Sequence, residues 1–250
     1  MIRISPFTAV FFSPSGDGYQ SDSAHVQTWK TTDRIVFEVI STEMSDSVPL
    51  NITLNSYDER MVKTTSMRSF TVWQMNATTR ILYLVLQNLA EGLYSVTFNG
   101  AESDLFRVTN DAKQLDGTSL ITYYSETNRN RNDVVFVVNG TQLQFQVRVP
   151  GGFKDDGWQF GVDNEQFTDD GYETFDVFAH ESEQRYFTLG NSRGVQPWFA
   201  GLLNRALTCE WFLVDGERYV RSESSVPEQT VMIEGLKSFV YKQLMRRTRD

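Results

Sequence analysis

Short runs of alternating apolar and polar residues recur along this chain, and turn-forming residues separate them. The run at residues 34–40 places Ile35, Phe37 and Val39 on one face, which is the period-two pattern of a half-buried β-strand. Further aromatic and β-branched runs follow at residues 51–57, 70–75, 80–86 and 92–98. Strands this short and this closely spaced are typical of a sandwich, so we predict a mostly β fold.

The last strands of the first half favour a particular kind of sandwich. Gly92, Tyr94 and Val96 alternate along one strand, and Asn99-Gly100 suits a turn that needs positive φ. A strand of the form Gly-x-Tyr-x-Val that leads into a final strand is common in immunoglobulin-like domains. We therefore predict an immunoglobulin-like β-sandwich over residues 26–111.

Two polar stretches flank this predicted sandwich. Residues 1–25 are rich in Ser, Gly, Asp and Pro, so we predict an extended arm or loop that becomes ordered on a neighbouring chain. Residues 112–117 have no hydrophobic period and interrupt the strand pattern, which predicts a linker. The chain then divides into two parts, with a second β-rich domain, the assembly domain, over residues 118–250.

The second domain has two hairpin signals and one helix signal. Apolar runs at 134–138 and 143–149 flank Asn139-Gly140, and a similar pair flanks Asp215-Gly216. Residues 197–207 carry a helical apolar stripe and begin with Pro197, a residue tolerated in a helix's first turn. We predict two hairpins and one short amphipathic helix here, and residues 230–244 fit either a strand or a helix.

Residues 154–183 combine many carboxylates with interleaved aromatic side chains. Ten acidic residues accompany a single Lys154, which is unlike a disordered acidic tail because the aromatic rings require burial. Two interpretations stay open: a solvated sheet edge with loops over a core, or a partner surface with aromatic anchors and a charged rim. The candidate interface residues are Phe153, Trp158, Phe160, Phe167, Tyr172 and Phe175.

Composition excludes several classes of function. The net charge of −9 disfavours phosphate-backbone binding, so we expect no direct contact with nucleic acid. No apolar run reaches the ~20 residues of a membrane span, and the N-terminus does not resemble a signal peptide, so we expect folding in a cytoplasm. The single Cys209 has no disulfide partner within the chain, and we interpret it as core packing.

No motif supports catalysis or a bound cofactor. Residues 190–194 match the G-x-S-x-G nucleophile elbow, but His25 and His180 both precede Ser192, and a hydrolase of that kind needs its His afterwards. One Cys and two distant His do not build a zinc site. Carboxylates near Asp169 leave a loose calcium site open, although their spacing fails the EF-hand rule. We predict a non-enzymatic protein with no cofactor, metal site or catalytic residue.

Part of the second domain resembles virion proteins of Bacteroidota phages of the crAss-like type. The resemblance lies in Pro150-Gly151-Gly152-Phe153-Lys154, residues 162–167, Gly190 with Pro197-Trp198-Phe199, and residues 214–221. It extends over residues 118–230 and contains no catalytic signature. The resemblance implies a structural subunit of a tail, neck ring or baseplate. Such a subunit assembles in the host cytoplasm, in a symmetric ring of its own copies beside other virion proteins.

Two further functions stay open beside the structural subunit. A carbohydrate-binding β-sandwich module uses exposed Trp and Tyr rings, which this chain has in number. An unrecognised hydrolase is the other, on the strength of the elbow-like loop alone.

Overall fold

The computed structural model describes residues 2–12, 26–42, 49–128, 131–190, 194–222, 228–233 and 238–248, and this part of the chain is mostly β. The helices are α1 (Ala112–Leu115) and α2 (Pro197–Ala206). The strands are β1 (Ile2–Ile4), β2 (Gln27–Lys30), β3 (Ile35–Ser41), β4 (Asn51–Tyr57), β5 (Lys63–Ser69), β6 (Thr71–Gln74), β7 (Arg80–Leu86), β8 (Gly92–Phe98), β9 (Ala101–Glu102), β10 (Phe106–Thr109), β11 (Thr118–Tyr124), β12 (Val137–Val138), β13 (Thr141–Gln142), β14 (Phe145–Thr168), β15 (Thr174–Leu189), β16 (Trp211–Val214), β17 (Glu217–Arg221), β18 (Glu228–Ile233) and β19 (Ser238–Arg247).

Two sheets pack face to face in the N-terminal half. One has the strand order β1-β3-β7-β6, and the other has the order β2-β10-β8-β4-β5 with β9 beside β8. The ring of Phe37 on β3 lies 5.8 Å from Phe98 on β8 and 5.9 Å from Phe70, which joins the two sheets at one edge. The prediction of a β-rich fold is confirmed, and its immunoglobulin-like detail stays a prediction.

Strand β3 departs from the half-buried pattern that its sequence predicts. All seven of its residues are buried, including Glu38, whose side chain is 0% exposed. The reason is that a second layer covers the other face, where Val135 donates its amide to the Glu38 carboxyl group. Tertiary packing therefore overrides the local alternation.

The first residues of the chain do not form the extended arm predicted for 1–25. Strand β1 pairs antiparallel with β3, and Phe7 is fully buried against Tyr123, Phe136 and Phe145, with ring centroids 5.7 to 6.4 Å away. The apolar residues of 2–12 make these core contacts. The prediction overlooked them because it was based on the Ser and Gly residues further along the segment. Residues 13–25, where that polar content is concentrated, lie outside the described part of the chain.

The C-terminal half is a seven-stranded sheet with the order β15-β14-β11-β16-β17-β19-β18. Helix α2 buries Phe199, Leu202, Leu203 and Ala206, so the predicted amphipathic helix is confirmed, with Pro197 in its first turn. The hairpin of β16 and β17 around Asp215-Gly216 is confirmed as well. Residues 230–244 belong to strands β18 and β19 wherever the structure describes them, which answers the question that the pattern left open.

The predicted hairpin around Asn139-Gly140 forms only in part. Both turn residues have positive φ, and the two-residue strands β12 and β13 pair across them. Residues 143–149 instead supply the start of β14, which pairs with β11. Longer pairing with β11 wins because it adds a strand to the large sheet, whereas a hairpin on its own is only marginally stable.

The two halves share one hydrophobic core across the predicted linker of residues 112–117. That linker contains the short helix α1, whose N-cap Asp111 accepts a hydrogen bond from the amide of Lys113. Arg148 on β14 forms a bidentate ion pair with Asp33 of the N-terminal half, with N–O distances of 2.7 and 3.0 Å. Since both side chains are largely buried, this pair links the halves at a point removed from water.

Candidate interaction hairpin

Strands β14 and β15 form an antiparallel hairpin that is far longer than the other pairings of the fold. β14 has 24 residues and β15 has 16, whereas strands of globular proteins have about five or six. Their pairing runs from Gly151 opposite Leu189 to Thr168 opposite Thr174. Among the residues that the structure describes, the two strands pair only with each other beyond the sheet, and we call residues 160–183 the outer hairpin.

The base of the hairpin is packed into the core. Gly151 has φ +142°, and a Cβ atom there would lie 2.0 Å from the carbonyl oxygen of Thr188, so only glycine permits this close approach. The Phe153 ring lies 5.3 Å from Phe187 and 4.4 Å from Tyr219. Phe153 was predicted at an interface, and the structure instead shows its ring packed against its own chain.

One face of the outer hairpin is aromatic. Phe167 on β14 lies directly opposite Phe175 on β15, and their side chains are 60% and 52% exposed. Phe178 and His180 follow on the same face, with ring centroids 5.7 Å apart. An irregularity in pairing, two residues opposite one at Val177, brings Phe178 onto this face, because strict alternation from Phe175 would point it the other way. We call this surface the aromatic face.

The opposite face is polar toward the tip. The side-chain amides of Asn164 and Gln166 both donate to the carboxylate of Asp176 across the strands, at 3.3 and 2.9 Å. Thr168 and Thr174 share a hydroxyl hydrogen bond of 3.1 Å. These cross-strand pairs stabilise the ribbon from its polar face. The exposed rings of the aromatic face are therefore not needed to hold the two strands together.

The tip of the hairpin is a closed turn rather than a loose loop. The carboxylate of Asp169 accepts hydrogen bonds from the amides of Gly171 and Glu173, at 2.8 and 2.9 Å. Tyr172 sits at the apex with φ +63°, an uncommon conformation for a bulky residue, and its side chain is 89% exposed. The turn therefore fixes the backbone of Tyr172 and presents its aromatic side chain to solvent.

The structure brings four of the six candidate interface residues together. Phe160, Phe167, Tyr172 and Phe175 are all exposed on the outer hairpin. The backbone of Trp158 belongs to β14, and its side chain lies outside what the structure describes. Sequence reasoning missed Val162 and Val177, two exposed apolar residues of the same hairpin, and it counted Phe178 among the interleaved rings without listing it as a candidate.

The outer hairpin is strongly acidic, which suits a surface that binds a basic partner. Residues 160–183 include eight acidic residues and no Lys or Arg. Within the described residues, no group of three or more His, Cys, Asp or Glu side chains is arranged to hold a metal ion. The Asp169 carboxylate is engaged by the amides of its own turn, so the loose calcium site considered from the sequence receives no support from the geometry there.

The remaining candidates for chemistry are the elbow-like motif, the two histidines and Cys209. Ser192 of the elbow-like motif and His25 lie outside the described residues, and His180 is on the hairpin beside Phe178. Burial raises the pKa of the Cys209 thiol to about 12, so this side chain is a poor nucleophile at neutral pH.

Comparisons with known proteins identify no relative of this chain. No protein-family model, curated protein or solved structure matches it. In the part of the chain that the structure describes, neither helix has the length and apolar character that crossing a bilayer demands.

Proposed function

We propose that this chain is a non-enzymatic structural subunit that assembles with neighbouring protein chains through its outer hairpin. The observation that carries the proposal is the aromatic face, where Phe167, Phe175 and Phe178 are 40% to 60% exposed on a ribbon beyond the main core. These rings are already about half covered, so burying the rest of one ring contributes about 1 kcal/mol. A partner that covers all three adds roughly 3 kcal/mol to the stability of an assembly.

The backbone of the outer hairpin supports the same conclusion. A two-stranded ribbon without a covered face is only marginally stable in water. Both of its long edges leave backbone groups open to pairing with another chain, which proteins ordinarily avoid by covering or shortening such edges. A partner that packs on the aromatic face or adds a strand to an edge resolves both problems.

The setting that we propose for this assembly is a bacteriophage virion, in a tail, neck ring or baseplate. This part of the proposal rests on the resemblance of residues 118–230 to virion proteins of crAss-like phages. A hairpin that extends from a compact body suits a subunit repeated around an axis, because each copy contacts the next through a surface far from its own core. The neighbours are then copies of the same chain and other virion proteins.

A carbohydrate-binding module is the second candidate function. Tyr172 favours it, because an exposed ring held in a fixed turn can stack on a sugar. Sugar recognition also needs polar groups beside the ring. The amides of Asn164 and Gln166 lie on the face opposite Phe167 and Phe175 and are engaged with Asp176, which favours the assembly function.

Removal of the outer hairpin tests the proposal. Replacement of residues 161–182 by Asn-Gly keeps the base pairing of β14 and β15 and removes the aromatic face. We expect this variant to melt within a few degrees of the full chain and to sediment as a monomer, whereas the full chain forms oligomers. If the shortened chain assembles like the full one, the proposal is wrong. Binding of the full chain to a glycan array, abolished by Tyr172→Ala, would favour the carbohydrate module instead.

A further inference from the structure

The exposed apolar side chains of this chain are concentrated on two separate surfaces. Of the fifteen large hydrophobic residues that are exposed in the described part of the chain, seven lie on the outer hairpin and five lie between Met61 and Met75. The second group consists of Met61, Val62, Met67, Val72 and Met75. Val72 lies on the inner side of its sheet, whereas Met67, which alternates with Arg68, lies on the outer side of β5. Single exposed hydrophobic residues are normal, and their grouping in sequence marks both segments as candidate contact surfaces.

The second surface is an open mouth between the two N-terminal sheets. Strand β5 is the edge of one sheet and β6 is the edge of the other, and we call residues 60–75 the β5–β6 edge. Arg68 pairs with the buried Ile52, and Val72 pairs with the buried Leu82. Paired residues share a face, so Arg68 and Val72 lie on the inner sides of their sheets, where the gap between the sheets opens to solvent.

The two surfaces have opposite charge. The β5–β6 edge, residues 60–75, includes three basic residues and no acidic one, in a chain whose net charge is −9. Lys63 is paired with Glu102 at 3.0 Å, but the side chains of Arg60 and Arg68 have no hydrogen bond or ion pair among the described residues. The outer hairpin offers carboxylates and no cation of its own, so the two surfaces are complementary in charge as well as in apolar character.

We propose that the outer hairpin of one copy docks on the β5–β6 edge of a second copy. The aromatic face, with Phe167 and Phe175, covers the mouth at Val72, and carboxylates such as Glu165 face Arg68. This inference rests on the proposed assembly function and names the partner for its hairpin. Two hairpins do not pair with each other, because eight acidic residues on each would be brought together.

The contact joins two different surfaces of the same chain, so it is head to tail. Such contacts do not stop at a dimer: they continue from copy to copy and close into a ring when the rotation between neighbours permits it. Each copy then gives one hairpin and receives another. This geometry yields the symmetric ring expected from the sequence without any twofold interface.

Two variants, each with one surface disabled, test the inference. Phe167→Ser/Phe175→Ser removes the aromatic face and keeps the edge, whereas Arg68→Glu/Val72→Asp disables the edge and keeps the hairpin. All four side chains are exposed, so both variants should melt close to the wild type. We expect each variant alone to self-associate at least ~tenfold more weakly than the wild type in sedimentation velocity.

Mixing the two variants gives the decisive result. The edge variant still has a working hairpin and the aromatic variant still has a working edge, so the mixture should form a 1:1 dimer and no larger species. Absence of that dimer overturns the inference. Wild-type assembly by the edge variant alone also overturns it, because the hairpin then binds elsewhere.

The failure of the broader proposal has a different signature. If the aromatic variant itself assembles like the wild type, the hairpin is not the contact, and the proposed function is wrong together with the inference. Val162→Ser, on the opposite face of the hairpin, and Val26→Ser, at an exposed position beside Phe11 and Trp198 and away from both surfaces, are the matched controls and should keep wild-type assembly. Loss of assembly in either control contradicts the assignment of these two faces.

Discussion

The base and the outer part of one hairpin have the same kind of sequence and opposite surroundings. At the base, Phe145, Val147 and Val149 are at most 2% exposed, whereas Val162 and Phe167 further along the same strand are at least 60% exposed. Both parts have large apolar side chains among polar ones. The difference is that the base has a sheet, a second layer and Phe7 around it, whereas nothing in the described part of the chain covers the outer hairpin.

This difference shows that apolar residues in a strand predict a face that must be covered. They do not predict what covers that face. At the base the cover is the chain's own core. On the outer hairpin the aromatic face is open, and we expect a partner chain to cover it. The same substitution at the base and on the outer hairpin therefore distinguishes a face that the core covers from a face that is open.

The largest expected effect is that of Phe145→Ala. This ring is buried against Phe7, Tyr123 and Phe136, so the substitution leaves a cavity and should lower the free energy of unfolding by about 3–5 kcal/mol. Phe167→Ala, in the same strand, should lower it by no more than about 0.5 kcal/mol. Chemical denaturation of the monomeric protein measures both, and equal losses would refute the distinction between base and outer hairpin.

The ion pair between Arg148 and Asp33 comes next. Arg148→Met should cost about 3 kcal/mol, because it leaves the Asp33 carboxylate buried without its cation at the seam between the two halves. Adding Asp33→Asn should cost less than the sum of the single substitutions, since the charge that is left alone is then gone. Urea unfolding of the two single variants and the double variant checks this, and strict additivity would contradict coupling across the seam.

Two glycines give a smaller effect of the same kind. Gly151→Ala at the base drives a Cβ into the Thr188 carbonyl and should cost about 2 kcal/mol or more. Gly161→Ala on the outer hairpin meets nothing within 4 Å and should be neutral or slightly stabilising. Melting temperatures of the two variants are the measurement, and a destabilised Gly161→Ala would show that the outer hairpin is covered within the monomer.

The smallest effect, when it is counted per pH unit, concerns a buried acid in the layer beneath the base. Burial raises the pKa of Glu38 from 4.5 to about 8, and the amide of Val135 partly opposes this shift by donating to the carboxyl group. The raised pKa means that the folded state favours the neutral acid. Stability from this site is thus complete below pH 4.5 and is lost as the pH rises through 8, by about 1 kcal/mol per pH unit.

Glu38→Gln isolates this contribution. The amide keeps the shape of the neutral acid and does not ionise, so the difference in unfolding free energy between variant and wild type should shift in favour of the variant from pH 6 to pH 8. Denaturation curves at several pH values measure it. A difference that does not change with pH would show that Glu38 is ionised in the folded protein.

The acidic and aromatic segment shows how far sequence reasoning reached. It identified Phe160, Phe167, Tyr172 and Phe175 as one group, because large rings among carboxylates require burial, and it left open whether a core or a partner provides that burial. It also included Phe153, since a ring seven residues before the outer hairpin, on the same strand, has the same local pattern as one within it. The β5–β6 edge was missed altogether, because its Thr and Ser residues resemble any exposed strand.

The sequence by itself determined the β-rich class, the turns at Asn99-Gly100 and Asp215-Gly216, and helix α2, because each depends on residues close together in the chain. Only the tertiary structure decided that residues 2–12 enter the core, that β14 pairs with β11, and that the outer hairpin extends beyond the sheet. These outcomes depend on contacts between residues that are not neighbours in the chain, such as Phe7 with Tyr123, 116 positions apart. Hydrophobic burial is non-directional, so a local pattern states that a face must be covered and leaves its partner to the fold.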